Sequence, residues 1–195
     1  AAASPFVRKV MVTLHETGQL DAVELLPAEG TPLDPARMPL GQNPLGKIPT
    51  LVRPDGPALF DSRVICRYLD DMAQGGLYPA SRIWEVLTLE AAADGMMEAA
   101  VLMRYEQTCR AEGVRSDAWV SGQWDKIVRT LDMLEARWMS HLHGPLDIGQ
   151  IAVGCALGYL DLRHADRDWR GSRPALAAWT ARFAEHPAMV ATRAA

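Results

Sequence analysis

Apolar positions change their rhythm along this chain. Up to about residue 74 they come in short runs broken by Pro and Gly; beyond Gly75-Gly76 they recur at helical spacing almost without interruption. The first run, from Pro5, places Val7, Val10, Met11 and Leu14 on one helical stripe. Ser4 suits its N-cap, Pro5 its first turn and Gly18 its stop. AVELLPA, from Ala22, reads as a short strand, and residues 30–46 read as Pro- and Gly-rich loop. IPTLV and PALF flank Arg53-Pro54-Asp55-Gly56, a turn signal that predicts a hairpin. Asp61 or Ser62 then caps a helix whose inner face is Val64, Ile65, Tyr68, Leu69 and Met72.

The second part carries three long helical patterns. They cover residues 81–111, residues 117–142 (with Trp124, Ile127, Val128, Leu131, Leu134 and Trp138 on one stripe) and a stretch beginning at Asp147. Asp147 and Gln150 have capping-box spacing. The helix they open is apolar nearly all round, so it belongs inside a bundle. Pro174 and Pro187 mark the starts of two short final helices.

The order is helix, strand, loop, hairpin, helix, then bundle. A mixed sheet also needs a strand ahead of the first helix, and a typical strand has about 5–6 residues. Ala1 to Ala3 are too few, so the expectation is that the first strand is missing because the chain lacks its natural start. The chain divides into residues 1–74 and residues 81–195.

Composition narrows the function classes. Apolar residues are 49% and charged residues 23% of 195, as in globular proteins. A net charge of −4 argues against nucleic acid as a partner. The longest apolar stretch, residues 151–160, is half what a membrane span of about 20 residues needs. No signal peptide is visible, although a start at Ala1 leaves processing open. Cys66, Cys109 and Cys155 are far apart and form no CxxC, so neither a disulfide framework nor a zinc site is expected, and the expected compartment is the reducing cytoplasm.

Three segments can carry chemistry. Ser4 is first a helix cap; its hydroxyl is also placed to donate to a thiolate at a helix N-terminus, where unpaired N–H groups favour anions. Lowering a thiol pKa from about 8.5 to about 6.5 takes roughly 2.7 kcal/mol. One charge-assisted hydrogen bond of about 1.5–3 kcal/mol with the dipole supplies that. Ile48-Pro49 is either a loop entering an edge strand or a cis bond that turns the Ile48 N–H and C=O outward to pair with an extended peptide. Asp61-Ser62 is again a cap, or a carboxylate site at a helix N-terminus with Asp61 facing an ammonium. Together the three suit a small peptide bearing a thiol, a carboxylate and an amine.

The stretches SPFVRKV at Ser4, NPLGKIPTLV at Asn43, FDSRVICRYLD at Phe60, ADGMMEAA at Ala93 and IAVGCALGYLDLR at Ile151 resemble the bacterial glutathione S-transferases over essentially the whole chain. The resemblance implies an α/β thioredoxin-like N-terminal domain with a mixed sheet, followed by an all-α helical-bundle C-terminal domain. It implies glutathione as cosubstrate, no metal, a small hydrophobic electrophile as second substrate, and a homodimer. It implies a serine-type catalytic Ser4 as in Ser-Pro-Phe members, Ile48 pairing with the cysteinyl backbone beside cis-Pro49, and Asp61 and Ser62 on the γ-glutamyl end. Lys47 falls near the glycyl carboxylate, and Phe6, near Ser4, is counted among the glutathione-binding residues, where it or a backbone N–H is the alternative to Ser4. Gln150 departs from the aspartate of many members. Relatives that bind glutathione without turnover, or act as glutathione-dependent isomerases or dehalogenases, share these motifs.

Other residues divide between packing and function. Met96, Met97, Leu102, Met103 and Tyr105 fall on the helix where the family places its electrophile pocket; the methionines read first as core and dimer packing, and Met103 and Tyr105 are the pocket candidates. Asp94 is either a helix-packing residue or a ligand for a glutathione amine across a dimer. His141 and His143 read as a solvated helix end. Cys66 and Cys155 read as core, whereas Cys109 lies in a more polar stretch.

Overall fold

In the computed structural model, which describes residues 3–194, eight helices account for nearly all regular structure. Helix α1 (Pro5–Glu16) is capped by Ser4, whose Oγ accepts the Val7 N–H at 3.4 Å. Helix α2 (Ser62–Ala73) is capped by Asp61, which accepts the Arg63 N–H at 3.1 Å. Both caps satisfy an N–H that the helix itself leaves unpaired. Then follow α3 (Ile83–Cys109), α4 (Asp117–Met133), a π-helical turn over Leu134–Trp138, α5 (Met139–Leu142), α6 (Ile148–Arg163), α7 (Pro174–Phe183) and α8 (Pro187–Ala191). None of these helices is long and apolar enough to cross a membrane.

The expected mixed sheet is reduced, among the described residues, to one antiparallel bridge. Leu51 and Leu59 exchange N–H···O bonds of 2.9 and 2.8 Å across the Pro-Asp-Gly turn, so the hairpin is present at its narrowest. AVELLPA is no strand: a single 3₁₀ turn (Leu20–Ala22) ends at its first residue and irregular backbone follows. The physical reason is the lack of a neighbour. A strand's N–H and C=O groups need a partner, and two strands alone are marginal in water. Leu25 and Leu26 accordingly stand 60% and 70% exposed. The expectation of a missing first strand bears on residues 1–3, of which 1 and 2 fall outside the described residues.

Helix α6 is the centre of the molecule. Residues from Ile148 to Leu160 are buried except Gly158, and α3 and α1 pack against them. This is the outcome expected of an all-round apolar helix. Its start differs in detail from a capping box. Asp147 Oδ1 accepts the Gln150 N–H at 3.2 Å, but the Gln150 side chain does not reach back to the cap. Instead Nε2 donates to the carbonyls of His141, Gly144 and Pro145 at 2.9–3.2 Å, which only an amide, not a carboxylate, can do. The helix expected over residues 117–142 is broken by the π turn, and Ile127, Leu131 and Leu134 keep their buried stripe.

The inner face of α2 is rotated from its expected position. Ser62, Ile65, Cys66, Leu69 and Asp70 are buried, whereas Val64 and Met72 are 47% and 61% exposed. The face is set by what α1 and α3 offer, which includes charge. Beyond α2, Asp70 Oδ1 accepts the Leu77 N–H at 2.8 Å, and Leu77 O accepts the Ile148 N–H at 3.0 Å. These two bonds seat the connecting segment between the two parts.

Candidate active site

Ser4 stands at the rim of a cavity of about 350 Å³ between the start of α1, one face of α6 and the last two helices. Ser4 uses one oxygen lone pair as cap. A serine hydroxyl has one donor and two acceptor positions, so the cap leaves its O–H without an acceptor among the described residues. Pro5 is buried and Phe6 is half-buried against the core, which fixes the approach of the chain to Ser4. Opposite Ser4, α6 contributes Gly154, Cys155, Gly158 and Tyr159, and α7 contributes Phe183. Gly154 is required by a close approach: a Cβ there would meet the Phe183 ring at 2.5 Å.

Met103 and Tyr105 do not line this cavity. Met103 is wholly buried in the core. Tyr105 is half-buried beside Tyr159, and burial pushes both phenols above their usual range. The wall of the cavity comes from helix α6, whose contribution sequence reasoning missed. The glycines at i and i+4 in IAVGCALGYLDLR were the available signal.

The Ile48-Pro49 peptide is cis, and both residues are half-buried. Buried Asn43 organises the loop ahead of them. Its Nδ2 donates to Lys47 O at 3.0 Å and to Thr50 Oγ1 at 3.1 Å, and its Oδ1 accepts the Leu45 N–H at 3.1 Å. The Lys47 side chain is exposed. At the start of α2, Ser62 is buried and Asp61 is exposed. Arg63 grips Asp61 through Nη2 at 2.8 Å, and this guanidinium holds the Asp61 carboxyl below the usual carboxylate range.

The largest feature missed in sequence lies behind these loops. Lys9 of α1 is completely buried, with its ammonium 3.0 Å from Glu90 and 2.8 and 2.9 Å from the two Asp94 oxygens. Tyr78 donates to Glu90 at 3.2 Å, and Arg63 Nε lies 3.7 Å from Asp94. The chain Glu90–Lys9–Asp94–Arg63–Asp61 thus joins α1, α3 and the N-terminus of α2. Asp94 is engaged by Lys9 of its own chain. Two carboxylates share one buried cation. Lys9 is held protonated by them, while burial pushes the acids of Glu90 and Asp94 upward. A Glu and an Asp spaced i,i+4 on an apolar helix were the sequence signal.

The remaining candidates have structural partners. His141 Nε2 lies 2.8 Å from Asp147, and His143 lies 2.7 Å from Arg182 Nη2. Among the described residues no group of three or more potential ligands is placed to hold a metal ion. Thr13 Oγ1 lies 3.3 Å from Cys66 Sγ.

Comparison with known proteins converges on one family. A family model described as the N-terminal domain of glutathione S-transferase matches residues 3–72, and one described as its C-terminal domain matches residues 117–182. A glutathione transferase family member from Pseudomonas fluorescens Pf-5, crystallised with bound glutathione, is 49% identical with a TM-score of 0.97, over 100% of this chain and 97% of that one. A second structure from that organism, with bound S-(propanoic acid)-glutathione, is 48% identical with a TM-score of 0.92, over 100% and 97%. The uncharacterized GST-like protein YibF of Escherichia coli K12 is 34% identical over 89% of this chain and 86% of its own length.

Proposed function

This chain belongs to the glutathione S-transferase family, and from that premise we propose that it is a serine-type glutathione transferase. Ser4 carries the proposal, because its hydroxyl caps α1 through a lone pair while its proton remains available at the rim of the cavity. In this reading, Ile48 meets the cysteinyl backbone of glutathione beside Pro49. Asp61 and Ser62 take the γ-glutamyl end, Lys47 lies toward the glycyl carboxylate, and Phe6 lies beside the thiol. The glutathione and the glutathione thioether held by the Pseudomonas fluorescens proteins support this reading for the present chain.

The chemistry asked of the protein is small. The thiol of glutathione loses its proton to solvent, and the thiolate is held by the Ser4 O–H and the first N–H groups of α1. The sulfur then attacks an electrophilic carbon: a C–S bond forms and the leaving group departs with its electron pair. With a peroxide, two glutathiones become the disulfide as the peroxide is reduced to alcohol and water. The protein supplies orientation and thiolate stabilisation, while the nucleophile belongs to the cosubstrate. A homodimer accompanies this reading, for which Trp84 of α3, 76% exposed, and Val64 of α2 offer apolar surface.

The test is the ultraviolet absorbance of thiolate in the complex with glutathione. Thiolate near neutral pH, lost in Ser4→Ala, is the expected result. Tight binding without thiolate, and no turnover against aryl halides, epoxides, isothiocyanates and peroxides, would instead mark a glutathione-binding protein without catalysis.

A further inference from the structure

The cavity beside Ser4 ends at one side chain, and open space resumes behind it. Phe183, the last residue of α7, lines that cavity. It also lines a second cavity of about 350 Å³, which opens past the end of α5 beside Leu142, His143 and Arg182. Among the described residues no other residue borders both.

The Phe183 ring is fixed from three sides. It stacks on Trp179, with centroids 4.6 Å and planes 14° apart, and on the imidazole of His186 at 5.8 Å and 26°. Both neighbours are anchored in turn. Trp179 Nε1 donates to Leu142 O at 2.7 Å, and His186 Nδ1 lies 3.4 Å from Glu16 at the end of α1. The third side is α6: a Cβ on Gly154 would lie 2.5 and 2.6 Å from two ring carbons, so the ring edge rests on bare backbone and leaves no gap beside the helix. Stacked aromatic pairs add to what area burial alone contributes. A ring with two such partners and a helix against its edge is a wall, not a flap.

We infer that Phe183 sets the length limit of the second substrate: it closes the cavity to long chains, and the cavity behind it is the room that a smaller residue at this position would open to them. This rests on the glutathione reading above, which puts the sulfur at Ser4, across the cavity from Phe183. The front cavity, at about 350 Å³, is near the bottom of the range of about 300–1,000 Å³ found for ligand pockets. Removing the ring joins it to the second and roughly doubles the space. An alkyl chain growing from the sulfur leaves water one methylene at a time, and each methylene buried adds about fourfold in affinity. That gain stops where the chain meets the ring, because the ring cannot yield without losing Trp179 and His186. Phe183 decides which electrophile is admitted and takes no part in the bond changes.

The test measures S-methyl-, S-butyl- and S-decylglutathione by calorimetry, with glutathione as reference. In the parent protein affinity rises from methyl to butyl, and decyl binds no tighter than butyl. In Phe183→Ala decyl binds about tenfold or more tighter than butyl, while S-methylglutathione stays within about twofold of its parent affinity. A general loosening of the fold would weaken all of these ligands together, whereas loss of a wall moves the long chain alone. A decyl-to-butyl ratio that is the same in parent and variant, or a parent that already gains affinity from butyl to decyl, overturns the inference while leaving the glutathione reading intact. Failure of glutathione and all three thioethers to bind the parent overturns both. Should Phe183→Ala not fold, Phe183→Leu replaces it: a decyl-to-butyl ratio above the parent's supports the inference, and an equal ratio overturns it.

Discussion

Ser4 has one hydroxyl and two tasks, which separate under mutation. As a cap its loss costs about 1 kcal/mol of stability. As a donor to a thiolate its loss costs about 1.5–3 kcal/mol in the reacting state, roughly ten- to a hundredfold in rate. Ser4→Ala is therefore expected to lower kcat with 1-chloro-2,4-dinitrobenzene by that factor at neutral pH. Its glutathione affinity, measured by calorimetry, should change much less. Equal kcat in mutant and parent removes Ser4 from catalysis. The cysteines divide by environment. Cys66 and Cys155 are fully buried, and burial pushes each thiol up to about 12, whereas Cys109 is half-buried. Iodoacetamide near neutral pH should alkylate Cys109 alone in the native protein, with the other two reacting only after denaturation; peptide mass mapping reads this directly.

At the level of elements, the buried chain of charges is what locks α1, α2 and α3 in register. Removing one partner of a buried ion pair leaves a charge without compensation, at a cost of about 3–5 kcal/mol. Lys9→Met should therefore lower stability by that amount in urea unfolding, and replacing Glu90 and Asp94 by their amides in the same chain should recover part of it. The pH dependence has a definite sign. Both carboxyl acids are raised above their ordinary values of 4.5 and 3.8, so the folded state holds these protons more tightly than the unfolded one. Their contribution is fully present below those values and is lost as pH rises through the raised ones. The stability of Glu90→Gln relative to the parent should thus improve as pH rises from about 4 toward neutrality; a constant difference across that window removes Glu90 from the titration. The rotated face of α2 is the one from which Arg63 comes within 3.7 Å of Asp94, while Val64 stays exposed.

For the whole molecule, binding of glutathione by the folded state alone must raise stability. At a hundred times Kd the gain is about 2.7 kcal/mol, which for a chain of this size is a shift in Tm of roughly 5–10 °C. Differential scanning calorimetry checks it; no shift at saturating glutathione would sink the proposed function. Asp61→Ala, which removes the carboxylate at the start of α2, should shrink the shift by weakening Kd.

Most helices were legible because helical periodicity and caps are local: Ser4, Asp61 and Asp147 announce helix starts that the structure keeps, and the all-round apolar α6 announces its own burial. The motif stretches gave the family for the same reason, as runs of neighbours along the chain. What sequence did not determine are features made by groups far apart in it. The strand candidate AVELLPA had the right composition but no neighbour to pair with. Lys9 meets Glu90 and Asp94 across more than eighty residues, and the wall opposite Ser4 comes from α6 rather than from Met103 and Tyr105. The chain by itself decides where it turns and which faces are apolar, since those depend on nearest neighbours. Only the tertiary structure decides which charge is buried against which and where a cavity is left, because both follow from how elements pack.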